Sequence, residues 1–124
     1  MRFVPATEAL VREYYGNTLP LTFRGFVVLN DGGEPVGVAG FLRKSKSVMV
    51  IFSEGEAEAY SDKKLSMRLA RLMMKIADDN GWTLIADADE TIPTAEHFLH
   101  RLGFKPNEDG GYTRWHGSQQ QPHT

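Results

Sequence analysis

Residues 61–104 read SDKKLSMRLARLMMKIADDNGWTLIADADETIPTAEHFLHRLGF, and this stretch decides the fold. Leu65, Leu69, Leu72, Met73 and Ile76 recur at helical spacing, so one face of a first helix is apolar. Lys64, Arg68, Arg71 and Lys75 fall on another face, which faces water. Gly81 supplies a stop, because glycine enters the left-handed conformation without a Cβ penalty. Trp82 to Ala88 then alternates as a strand, with Trp82, Leu84, Ala86 and Ala88 on one side. A turn at Thr91-Ile92-Pro93 opens a second helix with an Ala95, Phe98, Leu99, Leu102 stripe, and Gly103 ends it before a strand beginning at Phe104. Helix, strand and helix in this order require a layered α/β domain.

Working outward, Phe3-Val4 reads as a first strand and Thr7 as the N-cap of a helix with Glu8 in its first turn. Leu10, Val11 and Tyr14 form that helix's inner face, and Gly16-Asn17 stops it. Phe23 to Leu29 and Val36 to Leu42 are strands joined at Asn30-Asp31-Gly32-Gly33, a hairpin signal because such turns need positive φ. Gly37 and Gly40 inside the second of these predict a bulge or a close backbone approach. Val48 to Phe52 is a third strand, and Ser53 to Tyr60 an acidic loop leading to the central helix. Tyr112 to Trp115 is a last strand, with Tyr112 and Trp115 expected in edge-strand packing. The predicted order is β-α-β-β-β-α-β-α-β-β, a mixed sheet in one domain over residues 1–116. The polar stretch 117–124 has nothing to bury and is expected to be disordered.

Composition sets bounds. With 124 residues and no cysteine, the chain can bury a core without disulfides and has no thiolate metal site. A net charge of −2 offers no general attraction for nucleic acid. No apolar run approaches the ~20 residues that span a bilayer. Arg2-Phe3-Val4 reads as strand rather than leader, so the expected location is cytoplasmic.

The segment Gly81-Trp82, the strand after it, and Ala95-Glu96-His97-Phe98-Leu99-His100-Arg101-Leu102-Gly103-Phe104 resemble the GNAT (Gcn5-related N-acetyltransferase) superfamily. The pattern Ala-x-x-Phe-x-x-x-Leu-Gly-Phe is the most specific piece, and the resemblance covers roughly 23–115. The front end also looks like small GNAT-like proteins of tailed bacteriophages, some of them virion components. The resemblance implies acetyl-CoA as cofactor, its pyrophosphate on a Gln/Arg-x-x-Gly-x-Gly/Ala loop that opens the central helix. That pattern falls on Ser61, Asp62, Lys63, Lys64, Leu65 and Ser66. Ser61 stands for the Gln/Arg, Lys64 for the first glycine and Ser66 for the second small residue, and Lys63 and Lys64 can meet a pyrophosphate as point charges. The family's tyrosine that protonates the leaving thiolate falls on Leu99, which has no proton to give.

Each candidate has two readings. Ser61 to Ser66 is either a residual CoA loop or a plain helix start with Ser61 as N-cap. Glu54 is either the family's general base or a surface carboxylate beside Glu56 and Glu58. Asp87 and Asp89 share a strand face and either attract a cationic amine or are solvated. Tyr60 is a substitute proton donor only if something positions it. His97, His100 and His116 lack a fourth ligand, so no metal is assigned. Two functions stand side by side: acetyl transfer to a small-molecule or protein amine with Glu54 as base, or a silent GNAT-like binding or structural protein, a phage virion component among the options. Homo-oligomerisation is compatible with both.

Overall fold

The computed structural model describes residues 1–16, 24–86 and 95–115, with only the backbone of 95–97. Local chemistry sets its element ends. β1 (Arg2–Pro5) leads into α1 (Glu8–Tyr15), where Thr7 Oγ1 accepts the Leu10 N–H at 3.2 Å. Gly16, at φ 78°, closes that helix by donating its N–H to Arg12 O at 2.7 Å. β2 (Arg24–Leu29) and β3 (Pro35–Arg43) pair antiparallel. Asn30 ties their hairpin, its Oδ1 accepting the N–H groups of Gly32 and Glu34 at 3.0 and 2.9 Å.

Both expectations for the β3 glycines are met by specific contacts. Val28 pairs with Gly37 but Leu29 pairs with Pro35, leaving Val36 as the extra residue of a bulge. Gly25 faces Gly40, and a Cβ on Gly25 would lie 2.1 Å from Ala39 O, so the two backbones meet where no side chain fits.

β4 (Val48–Gly55) runs three residues beyond the predicted Phe52, and a 3-10 turn (Ala57–Tyr60) replaces the second half of the predicted loop. α2 (Lys63–Asp79) follows, then β5 (Thr83–Ala86), α3 (Ala95–Arg101), β6 (Lys105–Pro106) and β7 (Tyr112–Arg114). The two later helices end identically. Gly81 and Gly103 have positive φ, and the residue after each, Trp82 or Phe104, donates its N–H back to Ala77 O at 2.9 Å or Leu99 O at 3.0 Å. Trp82 and Phe104 are both buried.

The strands described make one mixed sheet in the order β1-β2-β3-β4-β5-β7-β6, with β4 and β5 parallel and β5–β7 and β6–β7 antiparallel. The parallel pair is what demands a helical crossover between its strands, and α2 provides it. β7 is therefore interior and β6 is the edge, and Trp115, expected in edge-strand packing, is exposed.

By contact density the chain divides into two compact units, 1–42 with 51–70, and 43–50 with 71–124. In the first, Val11, Val27, Leu29 and Val38 form a buried cluster on which Leu10, Tyr14, Tyr15 and Phe52 pack. In the second, Met73, Met74, Ala77, Leu84, Ala86, Leu102 and Phe104 are buried. Leu65, Leu69 and Met73 of the predicted α2 stripe are buried, whereas Leu72 and Ile76 are half-buried, and Lys64, Arg68, Arg71 and Lys75 are exposed. Among the described residues no helix is long and apolar enough to cross a membrane. Asp87, Asp89, His116 and the 117–124 tail lie outside the described residues, as does the side chain of His97. Among the described residues no group of His, Cys, Asp or Glu side chains is arranged to hold a metal.

Candidate active site

The end of β4 and the start of α2 are brought together by small residues. A Cβ on Gly37 would lie 2.9 Å from Ala59 Cβ, and one on Gly55 would lie 3.0 Å from the same atom. With neither Cβ present, the 3-10 turn folds down onto β3 and β4, Ala59 is buried, and Glu56 donates its N–H to Val36 O at 3.0 Å. This compact turn carries the chain from Glu54 to the α2 N-terminus in a few residues.

Glu54 stands exposed one residue before β4 ends. Its Oε2 accepts a hydrogen bond from the Tyr15 hydroxyl, the last residue of α1, at 2.8 Å. Tyr14 meets Tyr15 edge to face, with ring centroids 4.8 Å apart and planes at 88°. Burial, the Glu54 hydrogen bond and the Glu54 charge push the Tyr15 hydroxyl well above the ordinary tyrosine value. Tyr14 is also raised, by burial first and then by Glu54, Tyr60 and Glu56. Tyr15 did not stand out in the sequence. The only trace is that it follows Tyr14 and stands four residues after Val11, at the border of the helix's inner face.

At the α2 entry the cap is Asp62 and not Ser61. The Asp62 carboxylate accepts the Leu65 N–H at 3.0 Å, and Asp62 O accepts the Ser66 N–H at 3.0 Å. Ser61 instead donates its hydroxyl to Glu58 O at 2.7 Å, closing the 3-10 turn that the sequence pattern did not reveal. Leu65 is buried, so only its N–H faces the loop, and Asp62 holds that group. Lys63 and Lys64 are exposed, and among the described residues neither is in an ion pair. Their backbone N–H groups are the first two of the helix and have no acceptor within it. Ser66 is half-buried one turn in. The loop thus presents two N–H groups and two ammonium groups beside one carboxylate.

Tyr60 ends the 3-10 turn and is exposed. Leu99 is half-buried in α3.

No protein-family profile and no curated protein sequence matches this chain. Solved structures do. A GNAT-family acetyltransferase from Staphylococcus aureus superposes with a TM-score of 0.68 over 92% of this chain and 98% of its own, at 10% identity. A phosphinothricin acetyltransferase from Sinorhizobium meliloti, in complex with AcCoA, gives 0.64 over 98% and 92%, at 14% identity. A spermidine N-acetyltransferase from Vibrio cholerae gives 0.65 over 98% of both chains, at 9% identity. The fold of this chain is that of the GNAT acetyltransferases.

Proposed function

We propose that the chain is an N-acetyltransferase that moves an acetyl group from acetyl-CoA to a primary amine. The observation that carries this reading is the exposed Glu54 carboxylate at the end of β4, held by Tyr15 in a GNAT fold. Solved neighbours include an enzyme bound to AcCoA and enzymes named for amine substrates, which supports the same reaction class.

The donor set at the α2 N-terminus fits a pyrophosphate. The Lys63 and Lys64 N–H groups would bind it at the positive end of the helix, their ammonium groups would add charge, and Ser66 would offer a hydroxyl. Acetyl-CoA, when bound, supplies the acetyl group as an activated thioester. Glu54 would accept a proton from the substrate ammonium, and the freed nitrogen lone pair would form the C–N bond as the C–S bond breaks, the nitrogen's second proton passing through solvent to the departing CoA thiolate. Much of the rate enhancement would come from positioning, since an amine and a thioester held in register react far faster than free ones.

A thiol-release assay tests this directly, because a chain without cysteine adds no thiol background. Amine-dependent release of CoA by the wild type, lost in Glu54→Gln, is the expected result. Absence of both amine-dependent release and calorimetric acetyl-CoA binding at millimolar concentration would refute it.

A further inference from the structure

The outer face of α2 is cationic along almost its whole length. Every exposed residue from Lys63 to Lys75 is a lysine or an arginine, and no Asp or Glu occurs from 63 to 77. At 3.6 residues per turn, Lys64, Arg68, Arg71 and Lys75 fall within about 60° of one another, and at ~1.5 Å per residue their row is about 16 Å long. Like charges three and four residues apart weaken a helix, so a face with no task beyond solvation is better served by mixed signs. Lys75 has a partner in Asp79, at 2.7 Å. Among the described residues Lys64, Arg68 and Arg71 form no ion pair. Arg68 is also held in place. Its guanidinium carbon lies 5.9 Å from the centroid of the Phe3 ring, which meets Phe26 edge to face at 5.6 Å and 88°. The ring contact leaves the guanidinium its N–H donors, and among the described residues none of them makes a hydrogen bond.

We propose that this face binds the phosphate backbone of a nucleic acid without reading its sequence. The net charge of −2 gives the chain as a whole no attraction for a polyanion, but charge acts locally. Successive cations of the row stand about 4–6 Å apart along the helix axis, inside the ~8–10 Å screening length, so they act as one field. One strand of a duplex carries a phosphate every ~3.4 Å of axis, and a row of about 16 Å therefore opposes about five of them. Arg68 and Arg71 occupy its middle, and a guanidinium fork grips a phosphate through two parallel hydrogen bonds. A lipid surface is a poorer match. The apolar side of α2 is spent in the core through Leu65, Leu69 and Met73, so no apolar face remains for acyl chains. An acidic peptide offers flexible carboxylates with no fixed repeat.

The test is fluorescence anisotropy of a labelled DNA duplex, titrated with the full chain over a range of salt. The dissociation constant should be on the order of 10⁻⁵ M near physiological salt, and log K should fall against log salt with a slope of about −3, the value for three or four neutralised phosphates. A second duplex of unrelated sequence should bind equally. Arg68→Gln with Arg71→Gln should weaken binding about tenfold or more and make the slope shallower by about 2, while thermal stability holds or rises as like-charge repulsion is relieved. Should the double variant fail to fold, Arg71→Gln alone should make the slope shallower by about 1. Lys105→Gln, at an exposed lysine of β6, should change neither affinity nor slope. No binding at low salt, a slope near zero, or an equal loss in Lys105→Gln and Arg71→Gln would overturn this interface. So would competition by poly-glutamate or phosphatidylserine vesicles as effective as that of unlabelled DNA. Loss of acetyl-CoA affinity in the double variant, in step with DNA affinity, would also overturn it, because the cations would then serve the cofactor's phosphates. DNA binding by a chain that neither binds acetyl-CoA nor transfers acetyl would refute the acetyltransferase reading and leave the interface standing. Acetyl transfer without DNA binding would do the reverse.

Discussion

Arg114 grips Asp78 through a two-pronged pair, Nη1 to Oδ1 at 2.8 Å and Nη2 to Oδ2 at 3.0 Å, while its Nε donates to Leu102 O at 2.8 Å. The arginine is 1% exposed, and the Asp78 side chain 35%. One guanidinium thus joins β7, the end of α2 and the residue just after α3. Removing the aspartate alone leaves a buried cation without its anion, so Asp78→Ala should cost about 3 kcal/mol in chemical denaturation. Arg114→Met, which removes the charge and keeps much of the volume, should cost less. The reverse ranking would show that Arg114 acts by packing rather than by charge.

Leu69 lies in the middle of the α2 stripe and is 6% exposed. Leu69→Ala should cost ~2–5 kcal/mol, the range for large-to-small core changes. A change in denaturation midpoint equivalent to under about 0.5 kcal/mol would mean that the side chain contributes no core packing.

The sequence revealed the fold where the chemistry is local. Thr7, the Asn30 hairpin, Gly81 and Gly103 each set an element end through groups a few residues apart, and all four are as expected. It missed features that depend on distant partners. Arg114 reads as an ordinary polar strand residue until Asp78, 36 positions away, is brought beside it. Tyr15 and Glu54 are 39 positions apart and join only when β4 is placed near α1. The shift of the α2 cap from Ser61 to Asp62 has a similar cause. A 3-10 turn, docked through Gly37, Gly55 and Ala59, claims Ser61 first.

That docking can be tested by double substitution. Gly37→Ala puts a Cβ 2.9 Å from Ala59 Cβ, closer than two such atoms pack, and should cost about 1–3 kcal/mol. Ala59→Gly removes the atom it meets. The pair should therefore be less destabilised than the sum of the single changes, by about 0.5 kcal/mol or more. Strict additivity would show that the strain lies instead against Glu54 O, at 3.1 Å.

Alkaline pH should weaken the fold through Tyr14 and Tyr15. Both have raised values, so the folded state holds their protons where the unfolded chain has released them. The stabilisation is fully present below about pH 10 and declines as pH rises through the higher folded-state values. Denaturation midpoints should therefore fall above pH 10, and less steeply in Tyr15→Phe. A wild type and a variant with the same alkaline slope would show that Tyr15 ionises equally in both states.

Asp62 provides the sharpest test of the loop. Its carboxylate stabilises α2 by accepting the Leu65 N–H, yet it sets a negative charge beside the two lysines that would meet a pyrophosphate. These roles can be separated. Asp62→Asn keeps a side-chain oxygen able to cap and removes the charge, whereas Asp62→Ala removes both. If acetyl-CoA binds here, Asp62→Asn should tighten it by a few-fold with stability nearly unchanged. Asp62→Ala should also tighten it, at a cost of about 0.5–2 kcal/mol in stability. Lys63→Glu with Lys64→Glu should abolish binding, and the wild-type affinity should fall as salt is raised, because exposed charge–phosphate contacts are screened. Lys64→Gly should preserve or tighten binding by opening the backbone, while costing up to ~1 kcal/mol as a poor helix former. If Asp62→Asn weakens acetyl-CoA instead, the carboxylate is not opposing the phosphates. The cofactor would then sit away from the α2 N-terminus, and the placement of its pyrophosphate on Lys63, Lys64 and Ser66 would fall.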